Sequence, residues 1–292
     1  MNTEQFFRDI LPKLQETGKY ALSIQEGIRS LSKGIDPENQ AASALTEADI
    51  IVQEELLKYF LDKSYGFRIF AEEDTRYVDQ FPNEGDTIVS LDPVDGTLAY
   101  KKNLPNFCTV LAVYEKGCLD GVLVQTPAFG KFYAATQNRE RSWIWTPEEP
   151  GDFVMEDFVY VPKSRNVVLT YNPKKIDPNG KQAKKLDKLR ELGIVVHEID
   201  KKDKLDPAIG INSILRGEIS AYFRTDVPCL DWGPISLIMG KAGGIVTDYN
   251  GQNPDLHRYW GRTDGTKESR LPSIVVSGDV TLHSTLVDVL KE

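Results

Sequence analysis

Two carboxylates, Asp92 and Asp95, stand three residues apart at the end of the apolar run Thr87 to Leu91, within Leu91-Asp92-Pro93-Val94-Asp95-Gly96-Thr97. The run reads as a short buried strand, Pro93 fixes the direction in which the chain leaves it, and Gly96-Thr97 suits the opening of a helix. Asp92 and Asp95 would then face one point, where a cation could sit. Gly96 leaves room for an anion at the unpaired N–H groups of the helix start. The same residues are also ordinary turn chemistry, because Pro presets one turn position and Asp-Gly supplies another.

Two further acidic clusters sit in comparable places. The aromatic-rich segment Tyr65 to Phe70 reads as a strand leading into Ala71-Glu72-Glu73-Asp74. Asp231-Trp232-Gly233-Pro234 precedes Ile235, Leu237, Ile238 and Ala242 at helical spacing and ends in Gly243-Gly244, so Asp231 reads as an N-cap and the glycines as a stop. Three acidic clusters at strand ends and helix starts make joint sense if they converge on a hard cation, and Mg²⁺ prefers such oxygen ligands. A soft metal has little to bind, since Cys108, Cys118 and Cys229 form no close pair and His197, His257 and His283 have no partner four residues away.

These motifs resemble those of the inositol monophosphatase family of metal-dependent, often lithium-sensitive phosphatases, a superfamily that also takes in fructose-1,6-bisphosphatase and 3′-phosphoadenosine 5′-phosphate phosphatase. The family pattern appears here as Asp49 in a leading helix, Glu72-Glu73, Asp92-Pro93-Val94-Asp95-Gly96-Thr97, and Asp231 with Gly243-Gly244. One departure is visible: Leu230 stands where the family usually has Trp, and Trp232 follows the Asp instead, a change that bears on packing more than on chemistry.

The resemblance implies that Glu72, Asp92 and the backbone carbonyl of Val94 bind one metal, and that Asp92, Asp95 and Asp231 bind a second. It implies Mg²⁺ as cofactor, roughly two or three ions per site, and in-line hydrolysis of a phosphate monoester by an activated water. Thr97 would orient that water, with Asp49 accepting the Thr hydroxyl proton. Glu72 would belong to the catalytic set, and Glu73 would lie behind it or serve a third ion. The N–H groups of Gly96 and Thr97 would hold phosphate oxygens, and Asp95 and Asp231 would also meet the substrate. Thr46-Glu47-Ala48-Asp49 reads equally well as the capped, acidic first turn of a helix carrying Ile50, Leu57 and Leu61.

The 292 residues, 40% of them hydrophobic, are enough to bury a large core in one large or two intimate domains. No apolar run approaches the roughly 18 residues of a membrane span, and the polar amphipathic N-terminus does not read as a signal peptide. A net charge of −9 argues against a nucleic-acid polymer as partner, and scattered cysteines suggest a reducing, cytoplasmic setting. The family habit implies a homodimer.

Helices are expected over 3–31 and 46–62, separated by the polar loop Lys33 to Ser43. A strand meander follows over Phe107 to Tyr114, Leu119 to Gln125 and Lys131 to Ala135. Asn138 to Asp152, with Trp143, Trp145, Pro147 and Pro150, reads as a connection between an N-terminal α+β half, 1–150, that carries most metal ligands and a C-terminal α/β half, 151–292, with Asp231 and the substrate pocket. Strands near Val167 to Thr170, Ile194 to His197, Ile219 to Phe223 and Ser273 to Ser277 alternate with helices near 181–192, 207–216, after Asp231 and 280–291, an α/β signature. The basic run Lys174 to Lys188 reads as a solvated face. The fold implied is the α/β layered αβαβα sandwich of the sugar-phosphatase type.

The substrate is less defined. Inositol-cleaving members carry a Gly-Ser/Thr-Ala turn and a glutamate seven residues before the metal-binding Asp, where this chain has Leu205-Asp206-Pro207 and Arg224. A guanidinium there suits a second phosphate or a carboxylate, as in fructose 1,6-bisphosphate or 3′-phosphoadenosine 5′-phosphate, or else it pairs with a nearby acid such as Asp226. The family's Gly-rich segment near residue 140 is replaced by Arg139 to Thr146. The alternative from another class is a catalytically inactive, metal-binding regulatory protein, against which stands the retention of Asp49, Thr97 and every metal ligand.

Overall fold

The computed structural model describes residues 1–27, 30–32, 44–149, 151–171, 181–199, 210–254, 256 and 270–291. The loop Lys33 to Ser43, the turn Leu205-Asp206-Pro207, His257 and the first part of the basic run lie outside the described residues. In chain order the elements are α1 (Thr3–Ile24), β1 (Ser30–Ser32), β2 (Ala44–Thr46), α2 (Glu47–Asp62), β3 (Arg68–Ala71), β4 (Thr87–Asp95), α3 (Thr97–Lys101), β5 (Cys108–Glu115), β6 (Cys118–Thr126) and β7 (Lys131–Thr136). There follow β8 (Trp143–Glu149), β9 (Asp152–Asp157), β10 (Val167–Tyr171), α4 (Lys181–Glu191), β11 (Val195–Ile199), β12 (Ala221–Pro228), α5 (Trp232–Lys241), β13 (Ile245–Thr247), β14 (Arg270–Ser277) and α6 (Val280–Leu290).

Strands β3 to β9 form a seven-stranded sheet in sequence order, parallel only at β3–β4. The five-stranded sheet has the order β11-β10-β12-β14-β13, with β14 antiparallel to both neighbours. The meander strands are apolar on both faces because both are covered. Val89, Leu91, Leu111, Val113 and Leu123 pack on α1 and α2, whereas Ile88, Val110, Ala112, Tyr114, Val122 and Val124 face the space between the sheets. That space is filled by Ile235, Ile238 and Met239 of α5 and by Leu169, Tyr222, Ile274 and Val276 of the second sheet. Leu186 and Leu189 of α4, with Leu282 and Leu286 of α6, cover the outer face of the second sheet on Val168, Phe223 and Val275. The layers therefore run αβαβα, as the motif pattern implied.

Three expectations need correction. Asn138 to Asp152 is no linker: β8 and β9 extend the first sheet, and Trp143 and Trp145 are buried against its helical layer. The prolines misdirected the reading, because Pro147 sits in a strand that pairs irregularly with β9, a setting that tolerates a missing N–H. Where a helix was expected to 216, the described part is a short 3₁₀ turn, Ile211–Ile214. The first helix ends at Ile24 and passes into a 3₁₀ turn, short of residue 31.

Helix α1 crosses β6 closely at Gly121, where an added Cβ would lie 2.6 Å from Thr3 Cγ2 and 3.1 Å from Phe7 Cε2. Gly121→Val should therefore destabilise the protein by about 1–3 kcal/mol through overpacking. Urea or thermal unfolding checks this, and a variant as stable as the parent would refute the close approach.

Candidate active site

The site is made at the end of β4. In a regular strand, residues three apart point to opposite faces, so Asp92 and Asp95 could not meet. Here Asp92 pairs with Val110 and Asp95 with Cys108, so three steps on β4 match two on β5. That bulge absorbs one residue and turns both carboxylates the same way. Pro93 lies inside the bulge, and its carbonyl accepts from Thr109 Oγ1 at 2.9 Å. The strand consequently runs four residues beyond its expected end at Leu91.

Gly96 follows with φ +88°, and a Cβ there would approach the Asn106 carbonyl oxygen to 2.7 Å, so the turn requires glycine. Asn106 is held from behind by Arg216, whose Nη2 donates to Asn106 Oδ1 at 2.7 Å. The Gly96 N–H is directed at the Asp95 carboxylate. Thr97 opens α3, with its hydroxyl oxygen 3.1 Å from Asp49 Oδ1 and 3.0 Å from the Val94 carbonyl oxygen.

Asp49 is fully buried and uses both of its oxygens. Its Oδ2 accepts from the Thr46 N–H at 2.8 Å and from the Thr46 hydroxyl at 2.5 Å, closing the capping box of α2, while Oδ1 faces Thr97. The helix-cap reading of Asp49 holds, and the cap leaves its second oxygen on the Thr97 hydroxyl.

Glu72 and Glu73 are placed by Gln53 of α2. Its amide accepts from the Glu73 N–H at 3.0 Å and donates to the Glu73 carbonyl at 2.6 Å, while the Glu72 N–H reaches Leu91 O at 3.0 Å. Glu72 is exposed, and its carboxyl hydrogen-bonds that of Asp92.

Asp231 comes from the central layer, as the N-cap of α5. Tyr114 of β5 donates to the Cys229 carbonyl at 2.7 Å, and Tyr222 of β12 donates to the Trp232 carbonyl at 3.0 Å. Burial pushes both phenols up, so they remain donors that grip the chain on either side of Asp231. Neither tyrosine nor Gln53 carried a motif signal; only an alignment of sheet registers would have revealed them.

One oxygen each of Asp92, Asp95 and Asp231 lies within 4.8 Å of the others. Burial, then the charges of Glu72, Asp95 and Asp231, pushes Asp92 well above the usual carboxylate range. Asp95 is pushed up to about 6, mainly by burial, with Cys108 and Arg224 pulling the other way. The Cys108 thiol lies 3.3 Å from Asp95 Oδ2 and is itself pushed up by burial and by Asp95, so it stays a protonated donor and no soft thiolate ligand. The donor set is one of carboxylate oxygens in a crowd whose repulsion a hard cation would relieve.

Arg224 projects from β12 toward this site and acts on Asp95. It does not pair with Asp226, whose Oδ2 accepts from Arg270 Nη1 at 2.9 Å. Arg139, where a Gly-rich segment was sought, lies over Trp143 and pairs with Glu4 at 3.1 Å, tying α1 to the sheet.

A model of the inositol monophosphatase family matches residues 12–276. The chain belongs to the inositol monophosphatase family. It is a phosphatase, a phosphoric monoester hydrolase. An inositol monophosphatase of Dictyostelium discoideum is 22% identical over 262 residues, 87% of this chain and 88% of that protein. The Nus factor SuhB of Escherichia coli K12 is 24% identical over 208 residues, 69% of each chain. Among solved structures, an IMPase/NADP phosphatase complexed with Mg²⁺ and phosphate superposes with a TM-score of 0.68 at 16% identity, covering all of this chain and 97% of the other. Among the described residues, no helix is long and apolar enough to cross a membrane.

Because Asp95 binds its proton more tightly folded than unfolded, it favours folding most below the ordinary carboxylate pKa and loses that contribution as pH rises through about 6. In chelator, Asp95→Asn should therefore raise the melting temperature at about pH 8 and much less at about pH 4. A pH-independent difference in melting temperature would rule this out.

Proposed function

We propose that this phosphatase is Mg²⁺-dependent and hydrolyses a small-molecule phosphate monoester by direct attack of water. The observation that carries the reading is Thr97, with its hydroxyl oxygen 3.1 Å from a fully buried, immobilised Asp49 and beside the Asp92, Asp95 and Asp231 nest. The donor set fits Mg²⁺, since it offers carboxylate oxygens and keeps its one thiol protonated. Glu72, Asp92 and the Val94 carbonyl would hold one ion, and Asp92, Asp95 and Asp231 a second. Mg²⁺, when bound, supplies positive charge that offsets the phosphate's and polarises the attacking water.

Thr97 has one hydroxyl proton and two possible acceptors. Asp49 is the stronger, being a carboxylate whose other oxygen is already saturated by Thr46. With that proton on the Asp49 side, the Val94 carbonyl keeps its lone pairs for a cation and the Thr97 lone pairs accept from water. Water's oxygen bonds phosphorus as the ester P–O bond breaks, and its two protons end on the leaving alcohol and on phosphate. The Thr97 N–H is available to phosphate oxygens, and Asp231 can accept from a substrate hydroxyl.

The likeness to a Nus factor supports a second reading, a metal-binding regulatory protein without turnover. The retained Asp49–Thr97 pair favours catalysis, because metal binding alone needs neither residue.

Phosphate release would be measured with Mg²⁺ or chelator on inositol phosphate, fructose 1,6-bisphosphate, 3′-phosphoadenosine 5′-phosphate and histidinol phosphate. Chelation and Asp95→Asn should each abolish release, and Thr97→Ala should lower kcat roughly 10²- to 10⁴-fold. Release that ignores Mg²⁺, or a Thr97→Ala variant with full kcat, would sink the assignment; silence on every substrate with metal still bound would favour the regulatory reading.

A further inference from the structure

Arg216 stands behind the Gly96 turn and is fixed from several directions. Its side chain is 7% exposed, and its guanidinium carbon lies 4.0 Å from the ring centre of Phe129. Nε donates to Glu218 Oε1 at 3.0 Å and Nη2 to Glu218 Oε2 at 2.6 Å, a two-pronged pair, while Nη1 donates to Asn212 Oδ1 at 2.9 Å. Burial works against the Glu218 charge, yet the Arg216 guanidinium holds that carboxyl below its ordinary range, so the partner stays ionised. The guanidinium so placed reaches Asn106 Oδ1 from Nη2 at 2.7 Å, and Asn106 is itself buried to 3% exposure.

What Asn106 governs follows from its place in the chain. Residues 104–107 belong to neither helix nor strand, so no sheet ladder fixes them. The Asn106 carbonyl is the atom against which Gly96 turns, at a distance that leaves no room for a Cβ. Phe107 packs edge-on against Tyr100 of α3, with ring centres 4.8 Å apart. Cys108 pairs with Asp95 across the bulge, and its thiol donates to Asp95 Oδ2 at 3.3 Å. One short segment therefore touches the glycine turn, the helix that Thr97 opens, and a carboxylate of the acidic nest. A shift of about 1 Å in such a support is enough to cost roughly 10²-fold in rate.

Resting on the metal-dependent phosphatase reading above, we infer that Arg216 is a positioning residue of this site: held by Glu218 and Asn212, it anchors Asn106, and through residues 106–108 it sets the Gly96 turn and the Asp95 carboxylate. It acts through Asn106, without contact to substrate or cation.

The test reads cation affinity without turnover. Mn²⁺, another oxygen-preferring ion, would be titrated into the full chain and followed by electron paramagnetic resonance, at a temperature where urea unfolding shows each variant to be folded. Arg216→Ala and Asn106→Ala should each weaken Mn²⁺ binding about 10-fold or more, the range for lost support of a metal ligand. The double variant should bind about as well as the weaker single one, because both break the same connection. Arg216→Lys, which keeps a charged donor, should recover part of the loss. Gly121→Val, whose defect lies where α1 crosses β6, should be less stable yet keep the parent affinity. Affinities within about threefold of the parent in both single variants, losses that add in the double variant, or an equal loss in Gly121→Val would overturn the positioning role. If Arg216→Ala does not fold, Asn106→Ala decides by the same threshold. A parent that binds no Mn²⁺ would overturn this role together with the metal reading, whereas a parent that binds, with both single variants matching it, would overturn this role alone. The expected losses in a parent that releases no phosphate with Mg²⁺ would count against hydrolysis and leave the positioning role standing.

Discussion

The repulsion among Glu72, Asp92, Asp95 and Asp231 is the interaction against which the rest of the molecule is arranged. Four carboxylates from three separate elements would drift apart unless each were tied to something rigid, and each is. Asp92 and Asp95 are fixed by the bulge between β4 and β5, Glu72 by the continuation of the β3–β4 ladder into Leu91 O, and Asp231 by two buried tyrosine hydroxyls. Every tie leads back to the buried meander or to the central layer. The energy stored in crowding these charges is supplied by that core, and a hard cation at this point would relieve it.

The parts of this arrangement that were legible in the sequence are those encoded locally. Asp92, Asp95, Gly96 and Thr97 lie on one short stretch, and Asp231 announces itself as a helix cap before an apolar segment. The layer order followed from the resemblance and from the alternation of strand and helix in the second half. What escaped was anything set by register. A three-residue spacing says nothing of a bulge, since the extra residue is defined only against β5. Cys108 looked like a scattered cysteine until pairing brought it opposite Asp95. Gln53, Tyr114 and Tyr222 resemble ordinary core or helix residues, and their purpose lies in the backbone atoms they reach across the chain. The β8–β9 hairpin was lost for a different reason: prolines weigh heavily against a strand when one cannot see that it pairs irregularly at the margin of a sheet.

Asp49 illustrates how one carboxylate can cap a helix and still hold a second partner. A carboxylate has two oxygens, and in α2 they have separate employment. Thr46 saturates one and thereby fixes the rotamer, so the other is aimed without entropic loss at Thr97. A residue serving only as a cap would leave its second oxygen to solvent, whereas Asp49 is fully buried with that oxygen on the Thr97 hydroxyl.

The exchange of Leu230 and Trp232 around Asp231 was expected to bear on packing more than on chemistry, and the structure gives that packing a charged consequence. Leu230 fills a buried position before the aspartate, while the displaced indole sits between Tyr222 and Arg224. An arginine at position 224 stands beside four acids, and aromatic contacts favour holding its guanidinium apart from them. Tyr171 and Trp232 together provide those contacts, and Asp226 is withdrawn by Arg270. The tryptophan after the aspartate and the arginine seven residues before it are therefore one feature, distributed over two elements. It holds a positive charge close enough to act on Asp95 without pairing with the carboxylate cluster.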